Sequence, residues 1–346
     1  MTRNETQIIK GLAILLMLFL HLFNYNTTKL EELCTPIIYI GSIPFVEILS
    51  RASNPVAFFL IVGGYGLYKV WLKGDRNRWS RLLKLYIHWW GVLIIFTTIG
   101  HFIFPEKFPH SWLDFLLNAT GLDVSYNNVL WFLLPYAVLS ALSPVMFRFY
   151  QRFKALPIVF VSLSIYVLTS YCISKYGTSY LYKNFIIYNL VLPFHLLFNF
   201  SIGAIAAREE WFEKINYKFN ASRSYFFKDA LPVLGIILLI FINCVFKFKF
   251  FYAFLFICCF SLIKFNGWAE KIMIKLGNQS MNMWMFHVWF CDVLFVKLTY
   301  ALKYSILIFV GITIISYFCS VLLDSLVKPI EKLMMPRKQI NEKPIL

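Results

Sequence analysis

Residues 10–21 read Lys10-Gly11-Leu12-Ala13-Ile14-Leu15-Leu16-Met17-Leu18-Phe19-Leu20-His21, an apolar run that begins with a cation and ends with a histidine. Eleven residues at about 100° each turn a helix three times plus roughly 20°, so Lys10 and His21 lie on one stripe, about 16 Å apart along the axis. An ionisable side chain inside a membrane span is costly and indicates a functional site. The run therefore predicts a membrane helix that carries a reactive histidine.

The composition of the whole chain supports a membrane protein. The 346 residues are 60% hydrophobic and only 14% charged, whereas soluble domains are about 25% charged. The net charge of +16 does not indicate nucleic-acid binding, because the cations lie between apolar stretches instead of clustering on a polar face. The seven cysteines include no Cys-x-x-Cys pair, so we expect no disulfide framework, no zinc site and no metal requirement.

Hydropathy predicts an all-α, polytopic membrane protein with about ten transmembrane helices. The predicted spans are 8–25, 54–72, 83–104, 129–147, 156–173, 186–207, 229–247, 249–265, 280–298 and 304–326. Residues 111–119 are too short to span and predict an interfacial helix. Alternate connecting segments are rich in Lys and Arg, which predicts that both termini are cytoplasmic. Residues 1–330 then form one integral membrane domain and residues 331–346 a short basic cytoplasmic tail.

The connection from Lys73 to Lys84 is the densest basic cluster in the chain. Its cations could simply anchor the loop on the cytoplasmic side. They could also bind the phosphates of an anionic co-substrate, because the planar guanidinium of Arg and the compact ammonium of Lys both bind phosphate well. The residues that would do so, together with the cation of the first span, are Lys10, Arg76, Arg78, Arg81 and Lys84.

His21 is the candidate catalytic base, because imidazole titrates near pH 6.5 and can take a proton from a hydroxyl. The alternative is a histidine that only bonds to a neighbouring backbone carbonyl. Four other histidines, His88, His101, His110 and His195, are expected to tolerate substitution by glutamine. His287 and Asp292 are five residues apart, which on a straight helix leaves their side chains about 140° apart, so this spacing predicts no joint site.

Ordered motifs along nearly the whole chain resemble the membrane-bound acyltransferase 3 family. The basic-x10-His pattern of the first span resembles the first motif of that family, although Lys10 replaces its usual Arg. The other matching segments are Phe58–Tyr65, where Gly63 replaces a Ser, Arg81–Tyr86, where Lys84 replaces an Arg, Leu130–Leu133 with Trp131, Leu276–Ser280, and Met283–His287.

The resemblance implies an O-acyltransferase. Acyl-CoA, expected to be acetyl-CoA, would bind as co-substrate from the cytoplasm, and a hydroxyl of a cell-surface or lipid-linked carbohydrate would arrive from the outer side, near residues 26–53 and 105–128. His21 would deprotonate that hydroxyl or carry the acyl group itself. Tyr65, Asn282 and His287 are candidates for stabilising the oxyanion, and Trp131 is a further site candidate from its motif.

Two further expectations complete the sequence-based hypothesis. The membrane is expected to be a bacterial plasma membrane, and the expected partners are the lipid bilayer and the carbohydrate acceptor, with no nucleic acid. The alternative function is a flippase or exporter of a sugar or lipid intermediate, since such proteins also have many spans and central polar residues. Exporters often contain inverted repeats, and no repeat is visible in this sequence.

Overall fold

The computed structural model describes residues 1–75, 77–221, 228–246 and 249–334. The helices are α1 (Arg3–Phe23), α2 (Thr27–Leu33), α3 (Phe45–Ala52), α4 (Pro55–Leu72), α5 (Trp79–Ile103), α6 (Trp112–Thr120), α7 (Leu133–Arg152), α8 (Ala155–Tyr176), α9 (Phe185–Arg208), α10 (Trp211–Ala221), α11 (Ala230–Phe246), α12 (Tyr252–Phe260), α13 (Gly267–Val288), α14 (Val296–Tyr300) and α15 (Ser305–Met334). Short 3₁₀ turns occupy Asn128–Phe132 and Leu181–Lys183, a π turn occupies Trp289–Val293, and β1 (Tyr39–Ile40) pairs antiparallel with β2 (Ile43–Pro44).

Long apolar helices dominate the described part of the chain, as predicted. Seven segments in it are long and apolar enough to cross a membrane: Arg3–Phe23, Phe45–Leu72, Trp79–Ile103, Asn128–Arg152, Ala155–Tyr176, Phe185–Arg208 and Ser305–Met334. Each coincides with one of the predicted spans. The all-α membrane class is therefore confirmed, while the number of crossings and the side of each terminus stay predictions. Of the predicted tail, residues 335–346 lie outside the described residues.

Two predicted spans differ from the observed helices. Within 249–265 the helix α12 has only nine residues, fewer than the roughly 20 needed to cross a bilayer. The span at 280–298 is wrong at both ends, because α13 begins at Gly267 and ends at Val288. The first half of α13 carries Glu270, Lys271 and Lys275, and these charges lower its hydropathy below that of a span, so hydropathy did not detect it.

The centre of the bundle is formed by α1 and α13, which run in the same direction. Each carries a glycine at the crossing point: a Cβ on Gly11 would lie 2.4 Å from the Met273 carbonyl oxygen, and one on Gly277 would lie 1.9 Å from that of Gln7. Small residues allow membrane helices to approach this closely. Ten residues beyond these glycines, the rings of His21 and His287 lie 5.0 Å apart. The two helices are thus in register from glycine to histidine.

A second pair, α4 and α9, repeats this arrangement through Gly64 and Gly203, each of which faces a backbone carbonyl of the other helix at about 2 Å from an added Cβ. Tyr68 of α4 lies beside Arg208 at the end of α9, so these helices are also parallel. In the predicted set of ten spans, α1 and α13 are the first and the ninth, and α4 and α9 are the second and the sixth. The two helices of each pair then cross the membrane in the same direction, which agrees with the parallel packing of each pair.

Cysteine labelling tests the predicted orientation. In a background without the native cysteines, Glu32→Cys on α2 should react with a membrane-impermeant maleimide on intact cells, whereas Lys271→Cys on α13 should react only after permeabilisation. Both positions are exposed, unlike Asn118 of the outer segment, which is 1% exposed. Labelling of Lys271→Cys but not of Glu32→Cys on intact cells would reverse the predicted orientation.

Candidate active site

The candidate catalytic residue His21 lies on the last turn of α1 and faces His287 of α13. His287 is fully buried, and its Nδ1 donates a hydrogen bond to the Met283 carbonyl oxygen at 3.2 Å. Its Nε2 has no hydrogen-bond partner among the described residues. When neutral, this tautomer presents a lone pair at Nε2. His21 and His287, called here the histidine pair, thus offer two imidazoles where the sequence indicated one.

Asp292 joins the histidine pair because the helix changes its geometry there. After Val288 the chain forms a π turn, in which the Leu294 amide donates to the Trp289 carbonyl at 2.9 Å. A π turn closes over five residues, so the straight-helix separation of His287 and Asp292 does not apply. Asp292 is the charged group that faces His21, and it accepts a hydrogen bond from Asn128 at 3.2 Å. Asp292 and Asn128 are exposed, which makes this end of the pair accessible.

A cavity of about 210 Å³ lies beside α1, between the histidine pair and the N-terminal end of that helix. It is lined by two cations, Lys10 and Arg81, and it extends along α13 to Trp284. We call it the basic cavity. Trp284 precedes His287 by three residues, or about 4.5 Å of helix rise, so the cavity ends one turn below the histidine pair. The other lining residues are Thr6, Phe59, Val62, Gly63, Gly66, Leu67, Leu85, Phe132, Tyr136, Ser280 and Met281.

The two cations of the basic cavity have no counterion in the part of the chain that the structure describes. No described residue forms an ion pair or a hydrogen bond with the side chain of Lys10 or Arg81. Like charges in a partly buried site repel each other and lose hydration. An anionic ligand would remove this cost, and phosphate is the group that Lys and Arg recognise best together.

The other predicted phosphate ligands have different partners. Arg78 is buried and donates to Ser143 Oγ at 3.1 Å and to the backbone carbonyls of Asp75 and Leu67, so it fastens the α4–α5 connection to α7. Lys84 pairs with Glu331 of α15 at 3.0 Å. Arg76 lies outside the described residues. Of the described members of the predicted set, Lys10 and Arg81 are the ones that line the cavity.

Lys84 belongs to a charged network between α5, α13 and α15. His88 lies within 2.6 Å of Glu331 Oε1 through Nε2 and within 2.7 Å of Asn282 Oδ1 through Nδ1. The Asn282 amide nitrogen donates to Asp324 at 2.9 Å, which fixes the amide oxygen toward His88. Both nitrogens of His88 thus lie within hydrogen-bond distance of an oxygen atom, which ties α5 to α13 and α15. Asn282, a candidate for the oxyanion, is occupied in this network.

Tyr65 lies at the opposite end of α1 from His21. Its hydroxyl donates to Glu213 Oε1 of α10 at 2.7 Å and accepts from the Met1 amino group at 2.6 Å. Arg3 and His21 are 18 residues apart, about 27 Å along the helix, so this hydroxyl does not reach the histidine pair. Burial acts to raise the pKa of Glu213, but the bonds from Met1 and Tyr65 outweigh it and lower the pKa to about 2. Glu213 therefore stays ionised at neutral pH.

The remaining predicted positions lie outside the basic cavity. Trp131 is half-buried beside Phe132, at a ring-centroid distance of 6.1 Å, but does not line the basic cavity. In the segment predicted to receive the acceptor, Glu47 is 1% exposed and bonds with Arg51 and Thr27. That carboxylate joins α2 to α3 and is not available to a ligand.

Two buried polar atoms without a partner lie at the candidate site. Nine buried side-chain polar atoms have no partner among the described residues, and two of them are Nε1 of Trp284, in the basic cavity, and Nε2 of His287. A buried polar atom without a hydrogen bond is uncommon and often marks a site of function. Sequence reasoning named His287 but assigned no role to Trp284, and the only available signal was its place in the Met283–His287 motif.

Comparison with known proteins agrees with the geometry. A family model described as an acyltransferase domain (Acyl_transf_3) matches residues 4–324, a range that includes α1, the basic cavity, the histidine pair and most of α15. No curated protein and no solved structure matched the chain. The matched range covers nearly the whole sequence, so the resemblance noted in its motifs is confirmed, and the chain belongs to the acyltransferase 3 family as a membrane acyltransferase.

Proposed function

We propose that the protein transfers an acyl group, most simply acetyl, from cytoplasmic acyl-CoA to a hydroxyl of a carbohydrate on the outer side of a bacterial plasma membrane. The observation that carries this proposal is the basic cavity, which runs from Lys10 and Arg81 to within one helical turn of the histidine pair. From Lys10 to the level of Trp284 it covers about 12 Å at 1.5 Å per residue. A phosphate-bearing donor with a long, thin arm fits such a path.

The donor would bind with its phosphates at Lys10 and Arg81 and its thioester near His21. Gly63 and Gly66 leave room on the α4 side: a Cβ on Gly66 would meet nothing within 4 Å. Gly63, which stands where the family pattern has Ser, faces the Tyr136 ring. No hydroxyl at position 63 can therefore act as a nucleophile, and catalysis falls to the imidazoles.

The acceptor would approach from the exposed side of the pair, where Asn128 and Asp292 lie. His21 would take the proton of the acceptor hydroxyl as its oxygen forms a bond to the thioester carbon. The carbon–sulfur bond then breaks, and His21 returns the proton to the CoA sulfur. Asp292 would stabilise the transient imidazolium by its charge. A variant of this path, in which His21 carries the acyl group itself, uses the same contacts.

An assay with purified protein in detergent or nanodiscs tests the function. Radiolabelled acetyl-CoA is mixed with cell-surface glycan fractions, and both released CoA and label on the glycan are measured. Acceptor-dependent release with label on the glycan supports the proposal. Transport of a lipid-linked sugar without any CoA release would favour the exporter alternative.

Replacing Arg81 by alanine is expected to raise KM for acyl-CoA about tenfold, because a charge-assisted hydrogen bond contributes roughly 1.5 kcal/mol. Turnover at saturation should change little. High salt should raise KM of the unmodified protein in the same direction, since ions screen partly exposed charges. The matched control is Arg148→Ala, an exposed arginine of α7 outside the cavity. Equal KM values for the two variants would mean that these cations only set the membrane topology and do not bind acyl-CoA.

A further inference from the structure

The indole of Trp284 is a buried hydrogen-bond donor without an acceptor. Trp284 is 7% exposed and lines the basic cavity, and its Nε1 has no hydrogen-bond partner among the described residues. An indole nitrogen can only donate. Leaving a buried donor unpaired costs about 1–3 kcal/mol. The position therefore calls for an acceptor that enters the cavity from outside the protein.

The location of Trp284 relates this donor to the reaction. With α1 and α13 in register, Trp284 lies level with Leu18, about 12 Å from Lys10 and one turn short of His21 along the axis. The Phe132 ring packs edge-on against it at 5.6 Å and holds the indole in place. An acyl-CoA molecule that is anchored at the cations and extends to the histidine pair must pass the indole N–H.

A carbonyl oxygen suits the indole N–H better than a water molecule as the hydrogen-bond acceptor. A buried water needs two to four polar partners, and the lining near Trp284 is mostly apolar, with Phe59, Met281 and Phe132. The Ser280 hydroxyl already donates to the Gly277 carbonyl at 2.8 Å. In such surroundings a single N–H is well placed to bind a single carbonyl, and the low local dielectric strengthens that bond.

We propose that the Trp284 N–H binds the thioester carbonyl oxygen of the acyl donor and stabilises the oxyanion that forms there; this inference rests on the proposed function. As the acceptor oxygen bonds to the carbonyl carbon, negative charge develops on the carbonyl oxygen and the hydroxyl proton passes to His21. The indole N–H stabilises that charge by a hydrogen bond until the C–S bond breaks and the sulfur receives the proton from His21. A fixed donor aimed at developing charge is among the largest contributions to acyl transfer.

The decisive pair of variants is Trp284→Phe and Trp289→Phe. Both tryptophans are buried, both have an unpartnered Nε1, and they lie on successive turns, but Trp289 does not line the cavity. Trp284→Phe should lower kcat about 100-fold, as loss of an oxyanion donor does. KM for acetyl-CoA should change little, since the interaction strengthens in the transition state. Trp289→Phe should keep near-normal kcat. Normal kcat in Trp284→Phe, or equal losses in both, would overturn the assignment.

A spectroscopic measurement keeps the inference testable if Trp284→Phe does not fold. Acetyl-CoA labelled with ¹³C at the carbonyl is bound to His21→Gln, which should hold it without turnover, and the carbonyl stretch is read by infrared difference. A hydrogen bond from Trp284 should shift the band to lower frequency than in free acetyl-CoA, and an unshifted band would overturn the assignment. Absence of any acyl transfer by unmodified protein would instead refute the proposed function itself.

Discussion

Replacing His21 by glutamine is expected to lower kcat for acyl transfer by about 100-fold or more, the usual scale for loss of a general base. Glutamine keeps the polarity and much of the volume of the side chain but cannot take a proton. Binding of acyl-CoA should remain, because Lys10 and Arg81 are unchanged. The measurement is kcat and KM for acetyl-CoA in purified, monodisperse protein.

The control for His21 is His195→Gln. His195 lies within the span α9, stacks on Tyr166 at 4.8 Å, and does not line the basic cavity, so its substitution should leave kcat nearly unchanged. His88 is no longer a suitable control, because it joins Glu331 and Asn282 in the charged network, where removing one partner leaves a buried charge uncompensated. Near-full transfer by folded His21→Gln would make the proposed mechanism wrong.

Replacing Gly277 by alanine is expected to separate α1 from α13 and to abolish most activity. The added Cβ would lie 1.9 Å from the backbone oxygen of Gln7, so a helix and not a flexible side chain must move. Overpacking of this kind costs about 1–3 kcal/mol or more. Any separation also widens the 5.0 Å contact between His21 and His287. Thermal unfolding in detergent and the acyl-transfer rate together measure the effect.

Gly66→Ala is the matched control for stability, because its Cβ meets no atom within 4 Å. In a helix, alanine in place of glycine restricts the unfolded chain and stabilises by about 0.4–1 kcal/mol where it fits. The unfolding temperature of Gly66→Ala should therefore equal or exceed that of the unmodified protein. If Gly277→Ala unfolds at the same temperature as Gly66→Ala and stays active, the close crossing of α1 and α13 is not required.

The sequence predicted those features that depend on neighbours along the chain. Apolar runs of about 20 residues must form helices in a membrane, because backbone groups need internal hydrogen bonds there. The common stripe of Lys10 and His21 follows from helical periodicity alone. The sequence grouped Arg81 with Lys10 by charge and predicted side, and the two residues line one cavity. The polar half of α13 was missed because Glu270, Lys271 and Lys275 lower its hydropathy below that of a span.

Tertiary structure decided which polar groups meet, since that depends on how distant helices pack. Gly11 and Gly277 set the crossing of α1 and α13, and this contact places His287 against His21 although 266 positions separate them in the chain. A π turn, which no periodic pattern announces, brings Asp292 to the same site. Lys84, a predicted phosphate ligand, forms an ion pair with Glu331 instead of lining the basic cavity. By itself the sequence determined a membrane helix bundle with a histidine inside its first long apolar helix. Packing decided which cations have no ion pair, and which buried donors have no acceptor, among the described residues, because counterions and hydrogen-bond partners come from helices that are remote in sequence.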